Sequence, residues 1–359
     1  MVNGSGNRIK SLKDSSPKKK GNAFLITNLR NIRYMTGFTG SNGALLISGA
    51  GDFFFTDFRY KEQSAEEVKS CEVVISKKDF FGFIIKFINK LNLWKILLED
   101  TIQYKDYARV SKHFTVSTTT DLVENLRSIK DQDELKLIKE AIRRAESAFT
   151  SVKAFIKPGI TERAIANRME EKLKQEGTEA IPFDTIVASG KRSALPHARP
   201  SEKKLQRGDL VVVDWGAECG GYFSDMTRTL LINGEGLDKK REIYDIVLRA
   251  NSMATRKVKT GLTGAEIDDA ARGSIRSAGY GEYFGHGTGH GVGLDVHEKP
   301  YISATATKLT LSSGMVFTIE PGIYIPGLGG VRIEDMVVVS GEGTGEKMTT
   351  LPEELETIW

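Results

Sequence analysis

The sequence predicts an α+β fold: a smaller α/β domain followed by a larger domain of mixed strands and helices. Three observations lead to this. The chain has 359 residues, more than one hydrophobic core normally serves, so two domains are expected. Its first third alternates short apolar runs with turn signals, as an α/β unit does. The remainder sets long amphipathic stretches among segments rich in Val, Ile and Thr, without a regular βαβ series.

In the first third, NAFLIT, GALLIS, GDFFFTDF, CEVVIS and WKILLED read as strands, with KEQSAEEVK and FFGFIIKFINKL as helices between them. The preceding RIKSLKDSSPKKK is basic and polar and reads as a solvated, mobile tail. The polar stretch TTTDLVENLRSIKDQDE ends this unit, which places the domains at 1–127 and 128–359. A long helix follows, in which Leu135, Ile138, Ile142, Ala145, Phe149, Val152 and Ile156 form one apolar stripe. Lys157-Pro158-Gly159 stops it. Thr161 and Glu162 open a second helix that runs to about Gln175, and Gly177 ends it. A third spans Lys239 to about Val258. A fourth spans Ala265 to Ala278, before Gly279.

Composition narrows the function. The chain is 40% hydrophobic and 27% charged, with a net charge of +4, as in a soluble globular protein. No nucleic-acid-binding motif accompanies the basic residues. The two cysteines, Cys71 and Cys219, make no disulfide framework, so a reducing cytoplasm is the expected location. No apolar run reaches membrane-spanning length, and the first twenty residues lack a signal core. Cys219 in its turn reads as incidental. His113, with no companion motif, reads as surface or core filler.

The chemistry is concentrated in two hairpins and one glycine-rich segment. LVVVDWGAECGGYFSDMTRTLLI carries Asp214 and Asp225 on β-rich arms around AECGG. A turn centred on Cys219-Gly220 makes them direct cross-strand partners, and one centred on Gly220-Gly221 makes them diagonal. In both registers they share a face. That face is either wet or, given its apolar flanks, buried. Buried carboxylates so close together need a shared proton or a cation between them. FTIEPGIYIPGLGGVRIEDMVVV repeats the device: Glu320 and Glu334 stand on opposed strands around PGLGG. Three of the five histidines, His286, His290 and His297, fall within FGHGTGHGVGLDVHE. The interleaved glycines suit close backbone approach. Four carboxylates with imidazole suit two divalent ions of the Mn, Co or Zn type. Such ions about 3.5–4 Å apart activate a bridging water and polarise a carbonyl.

These motifs resemble the pita-bread metallopeptidases, in particular their Xaa-Pro branch, prolidase and aminopeptidase P. The resemblance rests on the Asp214/Asp225 hairpin, HGTGHGVGLDVHE, IEPGIY, GVRIEDMVVV and FDTIVASGKRSALPHARP. NIRYMTGFTGSNG and FTDFRY resemble the N-terminal domain that these peptidases share with creatinase. The resemblance implies a curved antiparallel catalytic sheet covered by helices. It implies metal ligands at Asp214, Asp225, His290, Glu320 and Glu334, with Asp225 and Glu334 bridging two ions, Mn or Co before Zn. It also places His197 and His297 as non-ligand active-site histidines, Arg332 beside the ligand glutamate, and His286 near the site as a catalytic or a structural group.

The reaction so implied is hydrolysis of an N-terminal Xaa-Pro bond in di- or oligopeptides by a metal-bridging hydroxide, with Glu320 as proton shuttle. A homodimer or larger homo-oligomer is implied, with proline-containing peptides as substrates and neither nucleic acid nor membrane as a partner. Two alternatives stand beside it, a creatinase-like amidinohydrolase and an inactive pita-bread binding protein. The former works without metal and the latter loses ligands, whereas all five ligand positions are intact here. Methionine aminopeptidase, a third relative, lacks the N-terminal domain.

Overall fold

The structure is a computed structural model that describes residues 5–15 and 22–359. The chain divides into two compact units, Met1–Arg127 and Ser128–Trp359.

The N-terminal unit is built on a six-stranded sheet in the order Glu72–Ser76, Gly51–Asp57, Ala44–Ser48, Asn22–Ile26, Lys95–Glu99, Thr115–Thr119. Asn22–Ile26 pairs antiparallel with Ala44–Ser48 and parallel with Lys95–Glu99. Ala44–Ser48 is buried along its whole length, which explains its unbroken apolar run. The helix Phe80–Lys90 inserts Ile84, Ile85 and Ile88 into a core shared with Phe53 and Phe55. Helices Leu29–Thr36, Tyr104–Val110 and Leu122–Arg127 and the strand Thr115–Thr119 add to the elements expected from the sequence. The expected mobile tail is different in kind: Ser5–Ser15 is a helix. It buries Ile9 and Leu12, three residues apart on one face, and Lys13 pairs with Asp52 at 2.8 Å. The rest of the basic stretch lies outside the described residues.

The C-terminal unit holds a four-stranded sheet in the order Thr357–Ile358, Met226–Ile232, Leu210–Trp215, Ile186–Ser189. Its five-stranded antiparallel sheet runs Glu298–Ile302, Gly289–Gly291, Val316–Ile319, Asp335–Val339, Gly345–Lys347. A single bridge between Thr227 and Glu334 links the two sheets. Helices occupy Gln132–Lys153, Glu162–Gln175, Asp238–Lys257 and Gly264–Ser277, where the sequence places them. Asp131 and Thr263 open two of them with capping boxes, and Thr161 caps a third. The apolar stripe of Gln132–Lys153 includes Phe149, which stacks on Trp215 at 4.5 Å. Trp215 donates to the Ala145 carbonyl at 2.9 Å, so this helix fixes the strand that carries Asp214.

The first hairpin turns on Gly220-Gly221, with φ of 56° and 83°, the backbone of a type I′ turn. Thr227 therefore faces Asp214, and Asp214 and Asp225 are diagonal neighbours. In the second hairpin Gly322 faces Arg332, while Ile319 faces Asp335. That register sets Glu320 opposite Glu334, as expected, but neither lies within a strand. The Glu320 amide donates to the Thr288 carbonyl at 2.7 Å, and the Glu334 amide to the Thr227 carbonyl at 3.1 Å. Pro321 offers no amide to continue the ladder. Each expected strand is broken in two at its glutamate. Asn251, on the helix Asp238–Lys257, spans both breaks. Its amide donates to the Ile319 carbonyl at 2.9 Å and the Ile333 carbonyl at 3.1 Å. Asn251→Ala should lower stability by about 1–3 kcal/mol, the cost of leaving buried acceptors unmatched; chemical denaturation with unchanged slope would show it.

Candidate metal centre

The hairpins and the Gly289–Gly291 strand face a cavity of about 750 Å³. Asp214, Asp225, His290, Glu320 and Glu334 all lie on its wall, as do His197, His286, His297 and Arg332. His113 is exposed in the N-terminal unit. Asp225, His290 and Glu334 are buried, and each offers an N or O donor atom within 4.8 Å of the other two. Burial of both arms of the Asp214/Asp225 hairpin, all but the exposed turn at Gly220, rules out the wet-face reading.

The imidazole of His290 is set by its backbone. Its Nδ1 lies 3.2 Å from the Gly291 carbonyl, which only accepts, so Nδ1 carries the proton and Nε2 keeps its lone pair. Burial holds its proton affinity below the ordinary imidazole range. Nε2 faces Glu320 Oε1 at 3.5 Å and Asp225 Oδ2 at 3.6 Å. An uncharged nitrogen lone pair beside carboxylate oxygens is not an ion pair. It is one side of a cation-binding set. Gly289 and Gly291 flank it at ordinary negative φ. Close packing requires them: a Cβ would collide with the Thr318 carbonyl at Gly289 and with the Lys299 carbonyl at Gly291.

The carboxylates strain one another electrostatically. Burial raises Asp225 well above the usual carboxylate range, and Glu334, Asp214 and Glu320 add to it. Glu334 is raised in the same way, by burial and then by Glu320 and Asp214. Burial also raises Glu320. Asp214 Oδ1 is buried and accepts no hydrogen bond, whereas its Oδ2 takes one from Arg332 Nη2 at 2.6 Å. Burial opposes the Arg332 charge, yet Tyr324, Asp214 and Glu320 hold its proton more firmly than usual.

Arg332 is the hub of a directed chain of donors. It gives hydrogen bonds to Thr227 Oγ1 at 3.1 Å and to the Tyr324 hydroxyl at 2.9 Å. Thr227 then donates to Glu334 Oε2 at 2.7 Å. The Tyr324 hydroxyl, already an acceptor, donates to His286 Nε2 at 2.9 Å. His286 Nδ1 in turn donates to the Gly287 carbonyl at 2.8 Å. Thr227 and Tyr324 are absent from the residues singled out in the sequence. Period-two alternation along the stretch from Glu320 through Gly322 carries the signal for Tyr324, although Glu320 itself lies just outside the strand Gly322–Ile325.

Two further ion pairs, each with a buried carboxylate, hold the histidine segment. Asp268 accepts from the Thr288 amide at 3.1 Å and its hydroxyl at 2.7 Å. Its partner Arg272 reaches the carbonyls of Phe284 and His286. Beyond His290, Lys130 pairs with Glu298 at 2.8 Å, their side chains 1% and 5% exposed. His297, beside Glu298, opens onto the cavity with its ring centroid 4.1 Å from that of His290. Partial burial and the neighbouring imidazole lower its pKa to about 4, so it is neutral at physiological pH.

This fold and this site define a metal-dependent peptidase of pita-bread architecture. The chain matches metallopeptidase family M24 over residues 136–341, and the creatinase/prolidase N-terminal domain over residues 8–129. It belongs to the M24 family. It is 38% identical over 352 residues to an Xaa-Pro dipeptidase of Pyrococcus horikoshii, covering 97% of this chain and 98% of that one. Among solved structures it resembles an Xaa-Pro dipeptidase from Bacillus anthracis, with TM-score 0.92, 42% identity and 99% of each chain covered. It also resembles an X-Pro aminopeptidase from Thermotoga maritima, with TM-score 0.86 and 41% identity, over 94% of this chain and 97% of the other. The family implies divalent metal ions. The donor set fits them: a neutral imidazole lone pair, mutually repelling carboxylates and an unsatisfied buried Asp214 oxygen. Among the described residues, no helix is long and apolar enough to cross a membrane.

Arg332→Met should destabilise the chelated protein by about 3–5 kcal/mol, because Asp214 would stay buried without its cation. Urea unfolding in the presence of a chelator measures this directly.

Proposed function

We propose that this chain is a dinuclear exopeptidase that cleaves the bond between an N-terminal residue and a following proline, in dipeptides or longer peptides. The observation that carries the reading is the convergence of Asp225, His290 and Glu334 within 4.8 Å, with Glu320 and Asp214 on the same wall. Asp214, Asp225, His290, Glu320 and Glu334 would hold two divalent ions, with Asp225 and Glu334 shared by both. The oxygen-rich donor set suits Mn or Co, and Zn is compatible with it. When bound, the ions would supply an activated water and polarise the scissile carbonyl.

The remaining work falls to the protein. Glu320 takes a proton from the attacking water and returns it to the leaving nitrogen. His197 and His297 face the cavity from opposite segments and donate hydrogen bonds to the charge that develops on the substrate carbonyl. His286, also on the cavity wall, acts through its hydrogen bond to Tyr324 and so to Arg332. The intact ligand set argues against the metal-free amidinohydrolase and against an inactive binding protein. A homodimer or larger assembly in the cytoplasm completes the proposal.

Purified protein should lose peptidase activity on chelation and regain it with Mn or Co; full activity without metal contradicts the reading. Ala-Pro or Ala-Pro-Ala should be cleaved far faster than Ala-Ala, and the ratio between the first two sets the preferred length. A Met-Ala peptide as the best substrate contradicts the Xaa-Pro assignment.

The two neighbouring histidines should separate cleanly. His290→Ala should lose both metal and rate. His297→Ala should keep its metal and turn over on the order of 10²–10³-fold more slowly, the usual cost of one lost donor to developing charge. Metal analysis beside kinetics decides the matter, and equal metal loss in both variants refutes the division.

A further inference from the structure

We propose that Glu162 is a positioning residue for the reaction, closing the segment Ser189–Ser201 so that its exposed His197 is held over the site. This rests on the role given to His197 above. Glu162 is the first residue of the helix Glu162–Gln175 and is 0% exposed. A carboxylate is favourable at that end of a helix, but capping belongs to Thr161, whose hydroxyl takes the Ala164 amide at 3.1 Å. The Glu162 carboxylate points elsewhere.

Its two oxygens take five hydrogen bonds from one loop. Oε1 accepts from the amide and hydroxyl of Ser189 at 2.8 and 2.9 Å. Oε2 accepts from the amide and hydroxyl of Ser201 at 3.1 and 2.7 Å, and from Arg192 Nε at 3.0 Å. Arg192 then reaches across the loop to the Arg199 carbonyl at 2.6 Å. One buried charge therefore binds both ends of the segment and, through Arg192, its middle. The apex is tied to the metal centre by Arg332 Nη1, which donates to the Pro196 carbonyl at 3.1 Å.

His197 itself is exposed and, among the described residues, its imidazole makes no side-chain hydrogen bond. Its placement is inherited from its backbone, which the Glu162 carboxylate and Arg332 hold from two sides. A purely structural carboxylate would affect stability alone. A positioning carboxylate works through one named side chain, and that distinction can be tested.

The variants are Glu162→Gln, Arg192→Ala, His197→Ala and each of the first two combined with the third. Glu162→Gln sets an amide donor against amide and guanidinium donors. It should retain full metal content and lower kcat on the order of 10-fold or more, because small misplacements of a catalytic group are costly. Arg192→Ala, at a partly exposed side chain, should act in the same direction without threatening folding. Combined with His197→Ala, neither should slow turnover beyond His197→Ala alone. Multiplicative losses in the double variants, or metal loss in the single ones, overturn the proposal. A normal rate for His197→Ala overturns instead the role of His197, and this proposal with it.

Discussion

Mutual repulsion among buried carboxylates is the constraint on which the rest of this structure depends. Asp214, Asp225, Glu320 and Glu334 share one cavity wall, and burial with neighbouring negative charge raises Asp225 and Glu334 far above ordinary carboxylates. Like charges in a low-dielectric interior cannot coexist without compensation. A fold that assembles them must supply stability elsewhere and must hold the groups rigidly enough that only a suitable cation relieves the strain.

The scaffold does this by placing each carboxylate where the backbone is already committed. Glu320 and Glu334 sit at breaks between strands, with their amides turned to Thr288 and Thr227. Asn251 closes both breaks from a single helix position. On the other side Arg228 donates to the Glu334 carbonyl at 2.7 Å and pairs with Asp335 at 2.8 Å. Among the described residues, Arg332 is the one guanidinium hydrogen-bonded to a carboxylate of the wall, bonding Asp214 directly and Glu334 through Thr227. The histidines are held differently. His290 is fixed by glycine-tight strand packing and its own backbone. His197 and His297 are carried on segments strapped by the buried charges Glu162 and Glu298. On the proposed reading, the groups that would hold metal are locked by sheet geometry, while those that would face substrate are locked at one remove.

Much of this was legible in the sequence. The four long helices of the C-terminal unit announced themselves through apolar spacing, and the second of them through its opening at Thr161 and Glu162; the caps at Asp131 and Thr263 emerged only with the structure. Side-chain alternation alone put Asp214 and Asp225 on one face. Whether they were direct or diagonal partners depended on which glycines took positive φ, and composition does not decide that between Cys219-Gly220 and Gly220-Gly221. The opposition of Glu320 and Glu334 was legible, but the broken strands were not, because the bonds that replace the ladder come from Thr227 and Thr288, remote in sequence. The Ser5–Ser15 helix was hidden for a different reason: its apolar anchors are Ile9 and Leu12, amid basic residues that dominate the local composition and whose partners, Tyr34 for Arg8 and Asp52 for Lys13, are remote in sequence. Glu162 read as a helix opener, which it is. Its link to Ser189, Arg192 and Ser201 exists only once the chain has folded back on itself.

The central claim is that this repelling wall is a seat for two divalent ions shared by Asp225 and Glu334. Crystals grown with Mn and measured at its absorption edge test it most directly. The account predicts two anomalous peaks, both in contact with Asp225 and Glu334, one of them beside His290. A single peak, or peaks that avoid those two carboxylates, would contradict it.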